Sequence, residues 1–189
     1  MSFENYKTKK SVVIVYTGDG KGKTSAALGL MARALGNRNK VAFIQFIKYW
    51  SVSEHIFIRD IQSLYKDKLY FYKGGKGFYN AKDLSDKKIT KKDHESSAKK
   101  TYRRALQLAR DGQYDLIICD EINNAVHDGL LHKEDLLNLI QQKSPKTSLC
   151  LTGRNFPMEI SKEIDILSEM KKIKHHFDDQ YLANKGIDF

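Results

Sequence analysis

Cysteine and long apolar runs are scarce in this chain. Of its 189 residues only two are cysteines, Cys119 and Cys150, and each ends an apolar stretch that predicts a buried strand. Two buried thiols without metal-ligand spacing around them favour a reducing compartment over a disulfide framework. No stretch approaches the length of a membrane span, and the apolar run near the N-terminus is too short for a signal peptide. We therefore expect a soluble, cytoplasmic protein with no membrane partner.

Positive charge, in contrast, is in excess. Lysine and arginine number 33 against 23 aspartate and glutamate residues, which gives a net charge of +10. Such an excess favours anionic partners, nucleotides among them. Many of the lysines are interspersed with acids, as over residues 82–100, and that pattern is typical of a solvated helix face. The overall charge is therefore weak support for a nucleic-acid partner, and we expect none.

A glycine-rich turn between a predicted strand and a predicted helix is the most informative segment. Val12 to Val15 is a short β-branched run typical of a buried strand. Apolar residues recur at helical spacing from Thr24 to Leu35, with Gly36 at the expected C-terminal cap. The turn itself reads Thr17-Gly18-Asp19-Gly20-Lys21-Gly22-Lys23-Thr24.

Such a turn suits a polyphosphate. Glycines let consecutive backbone N–H groups point inward as an anion nest, and the start of the helix adds free N–H groups and its dipole. Lys23 can reach the terminal phosphates, and the Thr24 hydroxyl can ligate Mg²⁺. The usual P-loop has glycine where this chain has Thr17. The alternative is a glycine-rich turn that binds no ligand.

Strand and helix patterns alternate along the rest of the chain. Further strands are predicted at 41–47, 68–72, 114–121 and 147–152. Helices are predicted at 54–64, at 133–142, and from a Thr90–Asp93 capping box to near Gly112, with a last helix-to-strand passage at 164–173. The alternation predicts an α/β, P-loop NTPase-like fold with a mostly parallel sheet and helices on both faces. We expect one domain over residues 1–189, with 1–10 as a mobile arm.

Three other segments supply candidate site residues. The strand at 114–121 ends in Asp120-Glu121, paired acids of the kind that a P-loop fold uses to hold Mg²⁺ or to orient water. Arg154, which follows the strand at 147–152, can reach a phosphate or lie on the surface. Residues 73–80 form a second glycine-rich loop with two aromatics, which is either a segment that closes on a ligand or an ordinary solvent loop.

Together these segments resemble the P-loop-type ATP:corrinoid adenosyltransferases (cob(I)alamin adenosyltransferases) of the bacterial cobalamin pathway. The leading Thr17 is that family's own variant of the loop. The segments that carry the resemblance span nearly the whole chain in family order: 17–24, 32–36, 45–48, 120–122, 152–154, 174–175, 177–178 and 186–189.

The resemblance implies transfer of the 5′-deoxyadenosyl group of ATP to a Co(I) corrinoid, cobalamin or cobinamide, with release of triphosphate. It also implies Mg²⁺, an electron-donating reductase such as a flavodoxin, and a homodimer. Lys23 would act in catalysis, and Thr24, Glu121 and Asp120 would serve Mg²⁺. The nucleotide-binding residues would be Thr17, Gly18, Asp19, Gly20, Lys21, Gly22, Lys23, Thr24, Ser25, Arg33 and Arg154.

The resemblance also gives the second glycine-rich loop a role. In the family a loop with Gly-Phe and a second aromatic closes over the corrin and removes the lower axial ligand of cobalt. Gly77-Phe78 matches it, which assigns Phe78 to catalysis, whereas Asn80 stands where tryptophan is common. Phe78 would then work with Tyr79 or Trp50, or the enzyme would prefer a corrinoid without that ligand, such as cobinamide.

Two other function classes compete with the transferase. One is a RecA-like or kinase-like NTPase that acts on nucleic acid or a small phosphoryl acceptor, as the P-loop, the paired acids and the positive charge would allow. The other is a non-catalytic module that binds nucleotide or corrinoid as a carrier or sensor. Because a fold does not fix a function, the reaction product has to distinguish them.

Overall fold

The computed structural model of the chain describes residues 3–77, 79 and 88–188. Its strands are β1 (Val13–Thr17), β2 (Val41–Gln45), β3 (Leu69–Lys73), β4 (Leu116–Asp120), β5 (Ser148–Thr152) and β6 (Ile166–Glu169). Its α-helices are α1 (Lys23–Gly36), α2 (Ser53–Gln62), α3 (Lys91–Asp111), α4 (Ile122–His127) and α5 (Lys133–Gln142). Short 3₁₀ helices cover Met158–Glu163 and His176–Asp179.

The strands form one parallel sheet in the order β3-β2-β4-β5-β1-β6. Residues of α1 and α2 pack on one face, and residues of α3, α4 and α5 pack on the other. Parallel neighbours need long crossover connections, which is why helices cover both faces and the central strands are apolar on both sides. The α/β prediction is confirmed.

The predicted start and end of α3 are also confirmed. Backbone N–H of Asp93 donates to Thr90 Oγ1 at 3.2 Å, and backbone N–H of Thr90 donates to Asp93 Oδ2 at 2.9 Å. These reciprocal bonds satisfy two N–H groups that a helix start otherwise leaves without partners. Gly112 follows the last turn with a φ of 62°, the left-handed conformation that glycine adopts without strain.

The predicted cap of α1 is wrong. Gly36 is the last helical residue, and the left-handed position is taken instead by Arg38, with a φ of 65°. Backbone N–H of Arg38 donates to the Leu35 carbonyl at 2.9 Å, and that of Asn39 donates to the Ala34 carbonyl at 3.0 Å. This pair of bonds is a Schellman ending, which satisfies the terminal carbonyls even without glycine at the turn.

The chain after β5 also differs from the prediction. Residues 164–173 contain β6 but no helix; the helical turn precedes them, at Met158–Glu163. The sequence pattern did not predict α4, which directly follows β4. Cys119 and Cys150 are free and buried, as expected, and burial raises the pKa of both thiols. Among the described residues, no helix has both the length and the apolar character that crossing a membrane requires.

Candidate active site

The candidate site lies where the strands β1, β2, β4 and β5 end. Because the strands are parallel, their carboxyl ends meet at one edge of the sheet, the edge where open α/β folds bind ligands. Residues 18–22, which we call the phosphate loop, connect β1 to α1 at this edge. Gly18 and Gly22 have φ angles of 99° and 102°, so the loop uses glycine where a side chain would be strained.

Lys23 folds back over the phosphate loop. Its Nζ donates to the Gly18 carbonyl at 2.7 Å and to the Gly20 carbonyl at 2.5 Å. Burial lowers the pKa of Lys23, and the charge of Arg154 lowers it further. A cation held at the centre of the loop is positioned to meet an anion that binds there.

The phosphate loop packs against the chain that follows β6. Backbone N–H of Gly20 donates to the Met170 carbonyl at 2.6 Å, and backbone N–H of Met170 donates to the Thr17 carbonyl at 2.8 Å. A Cβ added to Gly18 or Gly20 would lie 2.5 or 2.6 Å from the Met170 oxygen. No sequence pattern predicts this contact, because nothing in the spacing of residues relates Met170 to a loop that precedes it by about 150 positions.

Two side chains of the phosphate loop strengthen that contact. Asp19 Oδ1 accepts a hydrogen bond from the Lys172 backbone N–H at 3.1 Å, and this bond lowers the pKa of Asp19. Lys21 Nζ lies 3.6 Å from Asp188 Oδ1 and donates to the Asp188 carbonyl at 3.2 Å. Both predicted nucleotide-binding residues therefore have contacts with the C-terminal part of the chain.

Asp120 and Thr24 lie together, as the sequence predicted. The Thr24 hydroxyl is 3.1 Å from Asp120 Oδ1, which also accepts from the Thr152 hydroxyl at 2.7 Å. The other oxygen, Oδ2, accepts from Gln45 Nε2 at 2.9 Å. Asp120 is fully buried. Its carboxylate is thus held in one orientation by three side-chain donors.

Glu121 has an unusual conformation beside it. Its φ is 63°, and its backbone N–H donates to the Thr152 hydroxyl at 2.9 Å. The residue keeps some solvent contact, but Oε2 is buried and has no hydrogen-bond partner among the described residues. Burial, with a smaller effect of Asp120, raises the pKa of Glu121 to about 8. A buried carboxylate oxygen without a partner fits a cation, which would satisfy the oxygen and favour its charged form.

A second lysine, missed as a site residue, lies near the paired acids. Lys48 Nζ is 2.5 Å from Glu54 Oε1 and 3.9 Å from Asp120 Oδ2. Burial alone would lower the pKa of Lys48, but the carboxylates of Asp120, Glu121 and Glu54 outweigh it and raise that pKa. The available signal was its place directly after a buried strand, where ligands bind in such folds.

The remaining predicted residues are Arg154, which follows β5, and Ser25 and Arg33, which lie on α1. Arg154 follows Gly153 (φ 132°), and its backbone N–H donates to Asn124 Oδ1 at 2.6 Å. Its side chain is exposed, and its charge lowers the pKa of both Lys23 and Asp19. Ser25 is exposed in the first turn of α1. Arg33 lies in the last turn of α1, which at 1.5 Å per residue is about 15 Å along the helix from its start.

The second glycine-rich loop continues from β3 along the end of β2. Backbone N–H of Gly74 donates to the Gln45 carbonyl at 2.9 Å, and that of Gly77 donates to the Ile47 carbonyl at 2.8 Å. A Cβ on Gly77 would lie 3.6 Å from the Trp50 ring. The loop thus reaches the same edge of the sheet as the phosphate loop.

Tyr79 of that loop packs against α3. The Tyr79 ring packs 5.6 Å from the His94 ring. Phe78, the predicted catalytic aromatic, and Asn80 lie outside the described residues. The predicted role of Phe78 therefore stays a prediction.

Mg²⁺ is compatible with the acids at this edge. Among residues 3–77, 79 and 88–188, no three His, Cys, Asp or Glu side chains form a metal-binding group. Mg²⁺ bound with a nucleotide typically takes one or two carboxylates and completes its shell with phosphates and water. The Thr24 hydroxyl and the Glu121 carboxylate, with Asp120 behind them, match that requirement.

Comparison with known proteins identifies the family. A family model described as ATP:corrinoid adenosyltransferase BtuR/CobO/CobP matches residues 9–189. The chain belongs to this family. Among adenosyltransferase relatives, the corrinoid adenosyltransferase of Pseudomonas aeruginosa is 32% identical over 97% of this chain and 86% of its own length. That of Escherichia coli K12 is 29% identical, over 96% of this chain and 87% of its own length.

A solved structure agrees with the fold. The flagellar accessory protein FlaH from Methanocaldococcus jannaschii superposes with a TM-score of 0.55, at 12% identity, over 85% of this chain and 71% of FlaH. At that identity the likeness concerns the fold alone.

Family membership confirms the predicted activity. The chain is an adenosyltransferase enzyme that uses ATP and a corrinoid as its substrates. The RecA-like or kinase-like alternative is not favoured.

Proposed function

We propose that the phosphate loop binds the triphosphate of ATP, while residues 73–80 help to hold a Co(I) corrinoid against the 5′ carbon. The electron pair of Co(I) forms the cobalt–carbon bond, and the bond between C5′ and the triphosphate oxygen breaks. Cobalt is oxidised from Co(I) to Co(III), and the electrons of the broken bond leave with the triphosphate. No general base is needed, because the nucleophile carries no proton.

The observation that carries this proposal is the buried, unpartnered Glu121 Oε2 beside an Asp120 carboxylate that touches Thr24. Thr24 stands in the first turn of α1, next to the phosphate loop, so a cation at these groups would adjoin the bound phosphates. The Thr24 hydroxyl and Glu121 would hold Mg²⁺, with Asp120 orienting the hydroxyl. Mg²⁺ supplies positive charge that stabilises the leaving triphosphate.

Lys23 acts on the same charge. Its Nζ exchanges the carbonyls of Gly18 and Gly20 for phosphate oxygens, in a half-buried position where an ion pair is stronger than in water. Arg154 adds a second cation from the end of β5. Thr17, Asp19, Lys21 and Ser25 shape the loop and its surroundings, and contact between Arg33 and the nucleotide stays a prediction.

The corrinoid side rests on Phe78 together with Tyr79 or Trp50, which would displace the lower axial ligand and ease reduction of cobalt. We further propose that the enzyme works as a cytoplasmic homodimer, that a flavodoxin-like reductase delivers the electron, and that nucleic acid is not a partner.

Anaerobic incubation with ATP, Mg²⁺ and chemically reduced cobalamin or cobinamide tests the proposal. We expect an alkyl-cobalt spectrum and intact triphosphate in equal amounts. Lys23→Met should lower the rate by at least about a hundredfold, as for loss of a group that stabilises transition-state charge. Lys99→Met, which removes an exposed ammonium from α3, is the matched control and should leave the rate unchanged. ADP with inorganic phosphate and unalkylated cobalt would contradict the proposal.

A further inference from the structure

A chain of buried polar side chains leads from α2 to Asp120. Gln45 and Asp120 end the neighbouring strands β2 and β4 and are paired in register, so their side chains leave the sheet on the same face. Both are fully buried, and His55 of α2 is 3% exposed. A glutamine at the end of an otherwise apolar strand needs partners for its amide, and both partners are side chains here.

Each hydrogen bond between these buried groups has its donor on the side of α2 and its acceptor on the side of Asp120. Backbone N–H of Val52 donates to His55 Nδ1 at 3.4 Å, so this nitrogen is the acceptor of the ring. In a neutral imidazole the other nitrogen, Nε2, then carries the proton and donates to Gln45 Oε1. With its oxygen engaged, Gln45 presents Nε2 to Asp120 Oδ2 at 2.9 Å.

The surroundings of His55 keep its ring neutral. Burial lowers the pKa of His55, and Lys73, Lys48 and Arg59 lower it further, against an opposite effect of Glu54. The ring also packs 5.5 Å from the ring of Phe71. A neutral ring with one donor and one acceptor is the form that this chain of hydrogen bonds requires.

We propose that His55 and Gln45 are positioning residues, which hold the Asp120 carboxylate turned toward the Thr24 hydroxyl and thereby prepare the site for the metal-bound triphosphate. The inference rests on the proposed function of this edge. Without the His55 donor, Gln45 Oε1 is left buried without a partner, and only Asp120 orients the amide. Any turn of the amide that finds Oε1 a new partner takes Nε2 away from Asp120, so the carboxylate is held less firmly toward Thr24.

Calorimetry measures the affinity for ATP with Mg²⁺ and again with EDTA. Loss of a positioning residue should weaken binding only with Mg²⁺, whereas loss of packing should weaken it under both conditions. His55→Phe keeps a ring against Phe71 but removes the donor; we expect the dissociation constant with Mg²⁺ to rise about tenfold, the effect of one hydrogen bond to a charged group. The value in EDTA should change less than twofold. His55→Gln retains an N–H group for Gln45 and should stay within about twofold of the wild type under both conditions.

Two further variants serve as a packing control and as a second test of the lost donor. Ile58→Val removes one methyl group from the buried face of α2 without changing a polar group. It should leave the ATP dissociation constants with Mg²⁺ and with EDTA unchanged. Gln45→Met removes the donor from the Asp120 side and should reproduce the loss with Mg²⁺, including where His55→Phe does not fold. Nitrogen-15 NMR of the wild type should show a neutral His55 protonated at Nε2.

The inference is overturned if His55→Phe and His55→Gln behave alike, if ATP affinity falls equally with Mg²⁺ and EDTA, or if His55 is protonated at Nδ1. Failure of the proposed function would look different. In that case the wild type itself would show no dependence of ATP binding on Mg²⁺.

Discussion

Replacing Glu121 with glutamine should change how the stability of the nucleotide-free protein depends on pH. Burial raises the pKa of Glu121 from 4.5 to about 8. Between these values the folded protein holds a proton that the unfolded chain has released, so the free energy of unfolding falls as the pH rises. At 1.36 kcal/mol per pH unit, the shift corresponds to at most about 5 kcal/mol. Relaxation around the charged group reduces the effect, and we expect about 2–3 kcal/mol.

Urea unfolding at pH 5 and pH 8, without nucleotide or metal, measures this effect. Other groups titrate over the same range, but they are common to both proteins, so the difference between wild type and Glu121→Gln isolates the carboxyl. The variant should lose less stability than the wild type on going to pH 8. Glu134→Gln, an exposed acid in the first turn of α5, is the matched control and should follow the wild type. Equal pH dependence in wild type and Glu121→Gln would refute the reasoning.

Three other substitutions have clear expected outcomes. Gly20→Ala places a Cβ 2.6 Å from the Met170 carbonyl and should destabilise the protein by about 1–3 kcal/mol and weaken ATP binding, as thermal unfolding and calorimetry would show. Gly29→Ala, with open space around its Cβ inside α1, is its control and should stabilise by about 0.5–1 kcal/mol. Thr152→Val removes two hydrogen bonds to the paired acids and should cost roughly 2–4 kcal/mol in urea unfolding; an unchanged midpoint would contradict this. Phe78→Ala should slow adenosylation of cobalamin more than that of cobinamide, and equal losses on the two would rule out a role in displacing the axial ligand.

Local patterns predicted much of the site. Glycines before a helix and acids after a buried strand are determined by neighbouring residues, and parallel strands bring their carboxyl ends together. The contact between Thr24 and Asp120 therefore followed from the sequence. The same logic predicted both ends of α3.

What the sequence did not predict depends on contacts between distant segments. His55 and Gln45 are ten positions apart, on a helix and a strand, and no spacing rule relates them; the one hint was a polar residue at the end of an apolar strand. The Schellman ending of α1 was missed because Arg38 takes a conformation usually left to glycine. The role of Arg33 stays a prediction, because resemblance assigns it to the nucleotide without accounting for the length of α1 that separates it from the phosphate loop.

The hydrogen bond from Gly20 to Met170 ties roughly the last tenth of the polypeptide to the phosphate loop. Loss of the residues from 170 onward would expose the inner side of the phosphate loop and free the carboxylate of Asp19. Proteolytic removal of the C-terminal residues should therefore first weaken the binding of ATP, while the sheet itself stays folded. Bound ATP, by the same coupling, should shield the C-terminal segment from proteases.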